Sequence, residues 1–287
     1  MLNNSTNQKV HLSTIAAISI VTWSLFAVLH EILGHAGAAF LLGEDVRGAV
    51  STTVHIADFY NLNSVSNRIG WWGFRFVAAA GTLINLSTGL IALLLLKSKQ
   101  ITQTSTRYFL WLFASISIFQ QGFWLTVMPF AALGGDWTAF FIELDHNKLW
   151  KIGVTIAGAF LLWFGYHMPL YRFWSRYKVS KTVSRSLKAQ FSIVPILVAF
   201  ITQLLSVMWS PLNGPRHTTI VSIFSFIPLI LWLIPINLIQ WPHSPSAMEM
   251  FQLKRSNSWI LAGFVAFFLF VVLLGTGIGS FSGHPDY

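Results

Sequence analysis

The first long apolar run of the chain covers residues 12–43 and reads LSTIAAISIVTWSLFAVLHEILGHAGAAFLLG. A hydrocarbon core of about 30 Å needs roughly 20 apolar residues in a helix, so this run is long enough to span a bilayer. It nevertheless contains His30, Glu31 and His35, and a carboxylate inside a membrane helix costs about 2.5–3.5 kcal/mol on insertion scales. We expect these residues to have a function; the alternative is that they are ordinary polar residues just outside the bilayer.

The rest of the chain has the composition of a membrane protein. Hydrophobic residues make up 54% of its 287 residues and charged residues 9%, with a mean hydropathy of +0.63, whereas soluble domains are about a quarter charged. Six further apolar runs follow, near residues 71–96, 108–132, 149–170, 190–210, 219–240 and 258–280. We therefore predict an all-α polytopic bundle of about seven transmembrane helices, forming a single membrane domain over residues 1–287.

Loop composition predicts the connections and the orientation. The stretch from Val50 to Ile56 is rich in β-branched residues, which favours a short strand or β-hairpin between the first two spans. With the N-terminus inside, 12 of the 18 Lys and Arg residues fall on the cytoplasmic side, as the positive-inside rule requires. We expect a bacterial inner membrane with a cytoplasmic N-terminus. The net charge of +9 lies in short loops, which indicates anionic lipid headgroups as partners and not nucleic acid.

The first span also has the residue types of a metal site. The chain has no cysteine, so histidines and carboxylates are the only plausible ligands. In the zinc motif H-E-x-x-H the histidines are four residues apart and share a helix face, whereas His30 and His35 are five apart and about 140° apart on a regular helix. A π-bulge, eased by Gly34, would bring both onto one face. Alternatively Glu31 and His35 are the ligands and His30 supports them.

A third ligand is predicted at Asp136. The first and third spans run in the same direction in the predicted topology, so their ends meet on one face of the membrane. Pro129 and the Gly134-Gly135 pair would break the third helix and let the backbone turn Asp136 inward. An ordinary turn aspartate is the alternative.

These residues resemble three ordered motifs of the site-two protease family of intramembrane zinc metallopeptidases. That family has H-E-x-x-H on one helix, a Gly-Pro-x-x-Asn-like element on the next and an aspartate in a Leu-Asp-Gly context. The corresponding segments here are His30 to His35, residues 80–85 (Ala-Gly-Thr-Leu-Ile-Asn) and Pro129 to Asp136. The resemblance covers roughly the first 140 residues, which would form a metallopeptidase-like core, with 141–287 as accessory transmembrane helices.

The resemblance implies a set of roles. Zn²⁺ would be held by His30, His35 and Asp136, with Glu31 as the general base and Asn85 near the substrate or its oxyanion. The strand near Val54 would hold an unwound transmembrane protein substrate by strand addition.

Three positions depart from the family pattern. There is one extra residue between Glu31 and His35, Thr82 stands where the family has proline, and Trp137 follows the aspartate. A divergent peptidase and a descendant that binds metal without cleaving peptides both fit these departures. Two other functions fit the same residues: a transporter or channel with a proton or cation site at Glu31 and the histidines, and a zinc hydrolase acting on lipid amides.

Overall fold

The computed structural model describes residues 10–56, 62–131, 135–178, 185–210, 224, 226–232 and 249–279. The first span is a continuous helix in three parts: α1 (Leu12–Val28), a π-helix (Leu29–Ala36) and α2 (Gly37–Leu41). The other helices are α3 (Leu62–Lys97), α4 (Thr104–Val127), α5 (Asp136–Phe140), α6 (Asn147–Trp174), α7 (Arg185–Met208) and α8 (Asn257–Phe267), which a second π-helix (Phe268–Leu274) continues.

Six helices within the described ranges are long and apolar enough to cross a membrane. They are Leu12–Leu41, Arg68–Lys97, Thr104–Val127, Asn147–Trp174, Ala189–Met208 and Asn257–Leu274. The chain is therefore an integral, multi-pass, all-α membrane protein, as predicted. The predicted run 219–240 lies largely outside the described residues; within it, residues 226–232 are helical, and Phe226 and Trp232 are buried in the main apolar cluster.

Some helices pack against several others, whereas α6 keeps one apolar side exposed. The first span lies against α7, α8 and α4, while α4 lies between α3 and α6. Glycines allow the α4–α6 contact, because a Cβ at Gly158 would come within 2.6 Å of the backbone of Thr126. The outer side of α6 instead exposes Ile156, Phe160 and Trp163, as expected of a surface in contact with hydrocarbon.

A β-hairpin follows the first span, in agreement with the prediction of a short strand or hairpin there. Strands β1 (Val46–Val50) and β2 (Thr53–Ile56) pair antiparallel, and Ser51 and Thr52 form the turn within the predicted strand. The hairpin is tied to the start of the second span by a two-point ion pair, in which Arg68 donates to the carboxylate of Glu44 at 3.1 and 2.6 Å.

The strand pairings identify the two faces of the bundle. We call the end that carries β1 the hairpin face, and β5 (Ile278–Gly279) pairs with β1 there. On the opposite face, β3 (Tyr177–Lys178) pairs with β4 (Glu249–Met250), and Val10 pairs with Leu253.

The chain changes face between α7 and β4. Helix α7 ends on the hairpin face, where Ser206 donates to the carbonyl of Phe270 at 3.0 Å, whereas β4 lies on the opposite face. The described residues that flank the stretch 211–248 therefore lie on opposite faces of the bundle.

Candidate metal centre

The histidine spacing is accommodated by a local π-helix. Residues Leu29–Ala36 form it, and its hydrogen bonds link residues five apart, so His30 and His35 are one turn apart on the same side. Of the two arrangements that the sequence allowed, the structure has the first. The potential ligand atoms that converge are those of His30, His35 and Asp136, and Glu31 is outside this group.

The three side chains form a nearly equilateral triangle of ligand atoms. Nε2 of His30 lies 3.1 Å from Oδ2 of Asp136 and 3.2 Å from Nε2 of His35, and the third side, from His35 to Asp136, is 3.3 Å. The side chains of His30 and His35 are 16% and 11% exposed and that of Asp136 is 38% exposed. The triangle is thus enclosed on the histidine side and open beside the aspartate.

A close contact between two glycines brings the π-helix against α3. A Cβ at Gly34 would lie 2.5 Å from Cα of Gly81, and a Cβ at Gly81 would lie 2.6 to 2.7 Å from ring atoms of His30 and His35. Since real contacts of this kind are rarely shorter than 3 Å, both positions need glycine. The two imidazoles therefore rest on the bare backbone of α3.

Helix α3 also orients the imidazole ring of His35. Nδ1 of His35 lies 2.8 Å from the carbonyl oxygen of Val77. A carbonyl only accepts hydrogen bonds, so Nδ1 carries the proton and donates it, and in the neutral ring Nε2 then keeps its lone pair. His35 is therefore held in the tautomer that a metal ligand needs.

His30 is supported by Asn85, which is fully buried. Its side-chain amide lies 3.2 Å from Nδ1 of His30, and its Oδ1 has no hydrogen-bond partner within the described part of the chain. A half-turn of the Asn85 amide exchanges its nitrogen and oxygen. Oδ1 of Asn85 would then accept the proton on Nδ1 of His30, and Nε2 of His30 would face Asp136 with its lone pair. Asn85, predicted near the substrate, thus lies on the far side of His30.

Asp136 reaches the centre from the first position of the short helix α5. Helix α4 ends at Val127, two residues before Pro129 and five residues before the predicted end of this run, and Leu125 packs with Ala79 in the middle of α3. Gly135, with a φ of 88°, precedes the short helix α5, of which Asp136 is the first residue. Irregular backbone at this depth is tolerated where it is buried in protein or lines a water-filled cavity.

The other end of α5 is fixed by Arg75 of α3. Its guanidinium donates to the carbonyls of Phe140, Ile142 and Glu143 at 3.2, 2.9 and 2.7 Å. Arg75 is 3% exposed, and its charge also faces the rings of Trp71 and Trp72. It therefore satisfies the carbonyls at the end of α5, which have no partners within so short a helix.

Glu31 lies beside the triangle. It precedes the exposed residues Ile32 and Leu33 on the π-helix and is itself half-buried. Its carboxylate interacts electrostatically with His30, His35 and Asp136. The arrangement thus offers three ligand atoms and, on the residue that follows His30, a carboxyl group outside the triangle.

Comparison with protein-family models, with curated proteins and with solved structures finds no match to this chain. A function can therefore be inferred only from the geometry of the centre and from the motif resemblance. Sequence reasoning named all three members of the triangle, but it missed the supporting roles of Val77 and Arg75. The role of the Val77 carbonyl could not be predicted, because every residue has a backbone carbonyl. Arg75 has the sequence position of an ordinary basic residue near the end of a span.

Proposed function

We propose that this protein is an intramembrane zinc metallopeptidase of the site-two protease type. His30, His35 and Asp136 would hold Zn²⁺, and Glu31 would act as general base. The observation that carries the proposal is the triangle of two imidazole nitrogens and one carboxylate oxygen, with a second carboxylate beside it.

The triangle fits zinc in size as well as in chemistry. Zn–N bonds of about 2.0–2.1 Å in a tetrahedral site place neighbouring ligand atoms roughly 3.3 Å apart. The observed separations of 3.1, 3.2 and 3.3 Å are close to this value. Three protein ligands leave a fourth position open, as in catalytic sites and unlike the four-ligand structural sites.

Each residue then has a definite part in peptide hydrolysis. Zinc at this site would supply Lewis acidity, which makes water reactive near neutral pH and polarises a carbonyl group. Glu31 would take the proton from the attacking water and pass it to the leaving amine. Val77 and Asn85 would keep the two imidazoles in the tautomer and orientation that leave Nε2 free. The 38% exposure of Asp136 leaves a side from which water and an unwound peptide can approach.

The substrate class follows from the depth of the centre, and the orientation follows from the charge of the loops. The centre lies beside the middle of α3, so the scissile bond would belong to a transmembrane or membrane-adjacent segment of another protein. We place the N-terminus in the cytoplasm of a bacterial cell, which puts the hairpin face on the outer side.

Metal analysis of purified variants tests the proposal. We expect stoichiometric zinc in the wild type and none in His35→Ala, whereas His167→Ala, at an exposed histidine of α6, should match the wild type. Glu31→Gln should keep zinc and lose cleavage of membrane-protein substrates. A wild type without stoichiometric zinc would end the proposal. Ion flux in liposomes that depends on Glu31 and not on zinc would indicate a transporter instead.

A further inference from the structure

Two of the residues that depart from the family pattern are bonded to each other next to the metal centre. The indole Nε1 of Trp137 donates to the hydroxyl of Thr82 at 3.1 Å, and that hydroxyl donates to Oε1 of Gln121 at 2.8 Å. The three side chains are 8%, 2% and 2% exposed. We call this series of hydrogen bonds, which joins α5, α3 and α4, the indole relay.

The direction of the indole relay is fixed by its chemistry. An indole N–H only donates, so the Thr82 hydroxyl must accept from Trp137, and its own proton is then the one that is donated to Oε1 of Gln121. Thr82 uses its one proton and a lone pair in doing so. A valine of the same shape can do neither, and a serine can do both.

The two ends of the bond between Trp137 and Thr82 are each adjacent in the chain to a residue of the centre. Trp137 follows Asp136 directly, and Thr82 follows Gly81, whose Cα supports both imidazoles. The bond from Trp137 to Thr82 therefore joins the backbone that carries the carboxylate to the backbone against which the histidines rest. The indole ring packs with Ala79 and Leu125, so its position is also fixed by apolar contacts.

Helix α5 needs such a constraint. Five residues are too few for a helix to be stable alone, and Arg75 holds only its C-terminal end. A zinc site requires ligand distances that are correct to about 0.2 Å. The hydrogen bond of the Trp137 indole fixes the N-terminal end of α5, which carries Asp136.

We propose that Thr82 and Trp137 are positioning residues of the metal centre, which fix Asp136 against His30 and His35 through the indole relay. The inference rests on the proposed function in that the centre is taken to bind zinc. It adds a cause for the two departures from the family pattern: the hydroxyl and the indole are needed together.

The test compares Thr82→Val with Thr82→Ser. Zinc affinity is measured by chelator competition on purified full-length protein in detergent, together with the thermal unfolding midpoint. We expect Thr82→Val to lose about 10–100-fold in affinity, as for other partners of metal ligands, and Thr82→Ser to restore most of it. The control is Thr202→Val in α7, a buried threonine whose hydroxyl, within the described residues, donates to the carbonyl of Val198 in its own helix, and this variant should leave the affinity unchanged. Equal affinity in Thr82→Val and the wild type would overturn the inference.

A second readout does not depend on metal. Trp137→Phe identifies the Trp137 indole resonance among those of the 13 tryptophans, and its hydrogen exchange is then followed in metal-free protein. We expect faster exchange in Thr82→Val than in Thr82→Ser or Thr202→Val, and unaltered exchange would overturn the relay. A wild type without zinc would refute the proposed function and with it the positioning role, whereas a zinc-binding wild type with an unaffected Thr82→Val would refute the positioning role alone.

Discussion

Replacing Gly81 with alanine should abolish metal binding while leaving the bundle folded. The new Cβ would lie 2.6 Å from Cε1 and 2.7 Å from Nε2 of His30, and 2.7 Å from Nε2 of His35. Because carbon contacts are optimal at about 3.5–4.0 Å, the rings must withdraw by roughly 1 Å. This is about five times the tolerance of a zinc site. Loss of a residue that supports a metal ligand lowers metal affinity by up to roughly 100-fold. We expect the zinc affinity of Gly81→Ala to fall by more than this.

The effect of Gly81→Ala on folding should be small by comparison. Alanine in a helix interior is favoured over glycine by about 1 kcal/mol, and overpacking costs about 1–3 kcal/mol. These opposing contributions leave the free energy of unfolding within about 2 kcal/mol of the wild type. The metal-free thermal unfolding midpoint should therefore change little.

The matched control for this variant is Gly153→Ala in α6. A Cβ there meets nothing within 4 Å, so zinc affinity should be that of the wild type. Zinc content after dialysis and affinity by chelator competition are measured on all three proteins. Wild-type affinity in Gly81→Ala would refute the reasoning, because the imidazoles would then not rest on α3 as described.

Three further predictions concern the surroundings of the centre. Asn85→Ala removes the partner of His30 and should weaken zinc binding about 10–100-fold in the same chelator competition, and an unchanged affinity would show that Asn85 does not support the ring. Arg75→Met removes hydrogen bonds from a charged donor, each worth about 1.5–3 kcal/mol, so limited proteolysis between α5 and α6 should accelerate; equal cleavage rates would contradict this. Since the chain has no cysteine, Asp45→Cys should react with an impermeant maleimide on intact cells and Ser98→Cys only after permeabilisation, and the reverse pattern would invert the orientation.

The membrane bundle was predictable because its signal is local. A run of apolar residues long enough to cross hydrocarbon has to form a helix, since its backbone polar groups find no other partners there. The predicted runs therefore match the six observed spans to within a few residues, apart from the ends of the third and the seventh. The hairpin was anticipated from the β-branched stretch alone, whereas its pairing with β5 joins residues more than 200 positions apart, and no local pattern encodes that.

The candidate site divides in the same way. Histidine, glutamate and aspartate within or next to apolar runs were recognisable because such residues are costly in a membrane. Their spacing left two geometries open, because five residues fit either a regular helix with one histidine turned away or a π-helix with both aligned.

Tertiary packing decided between these geometries. The bare backbone of Gly81 allows the π-helix to approach α3, and the Val77 carbonyl and Asn85 hold the rings there. The sequence by itself determined a membrane bundle with a set of potential metal ligands in its first half. Only the contacts between α3, α5 and the π-helix determined that three ligand atoms meet at zinc-like distances, because Asp136 is 106 positions from His30 in the chain and Val77, which orients His35, is 42 positions from it.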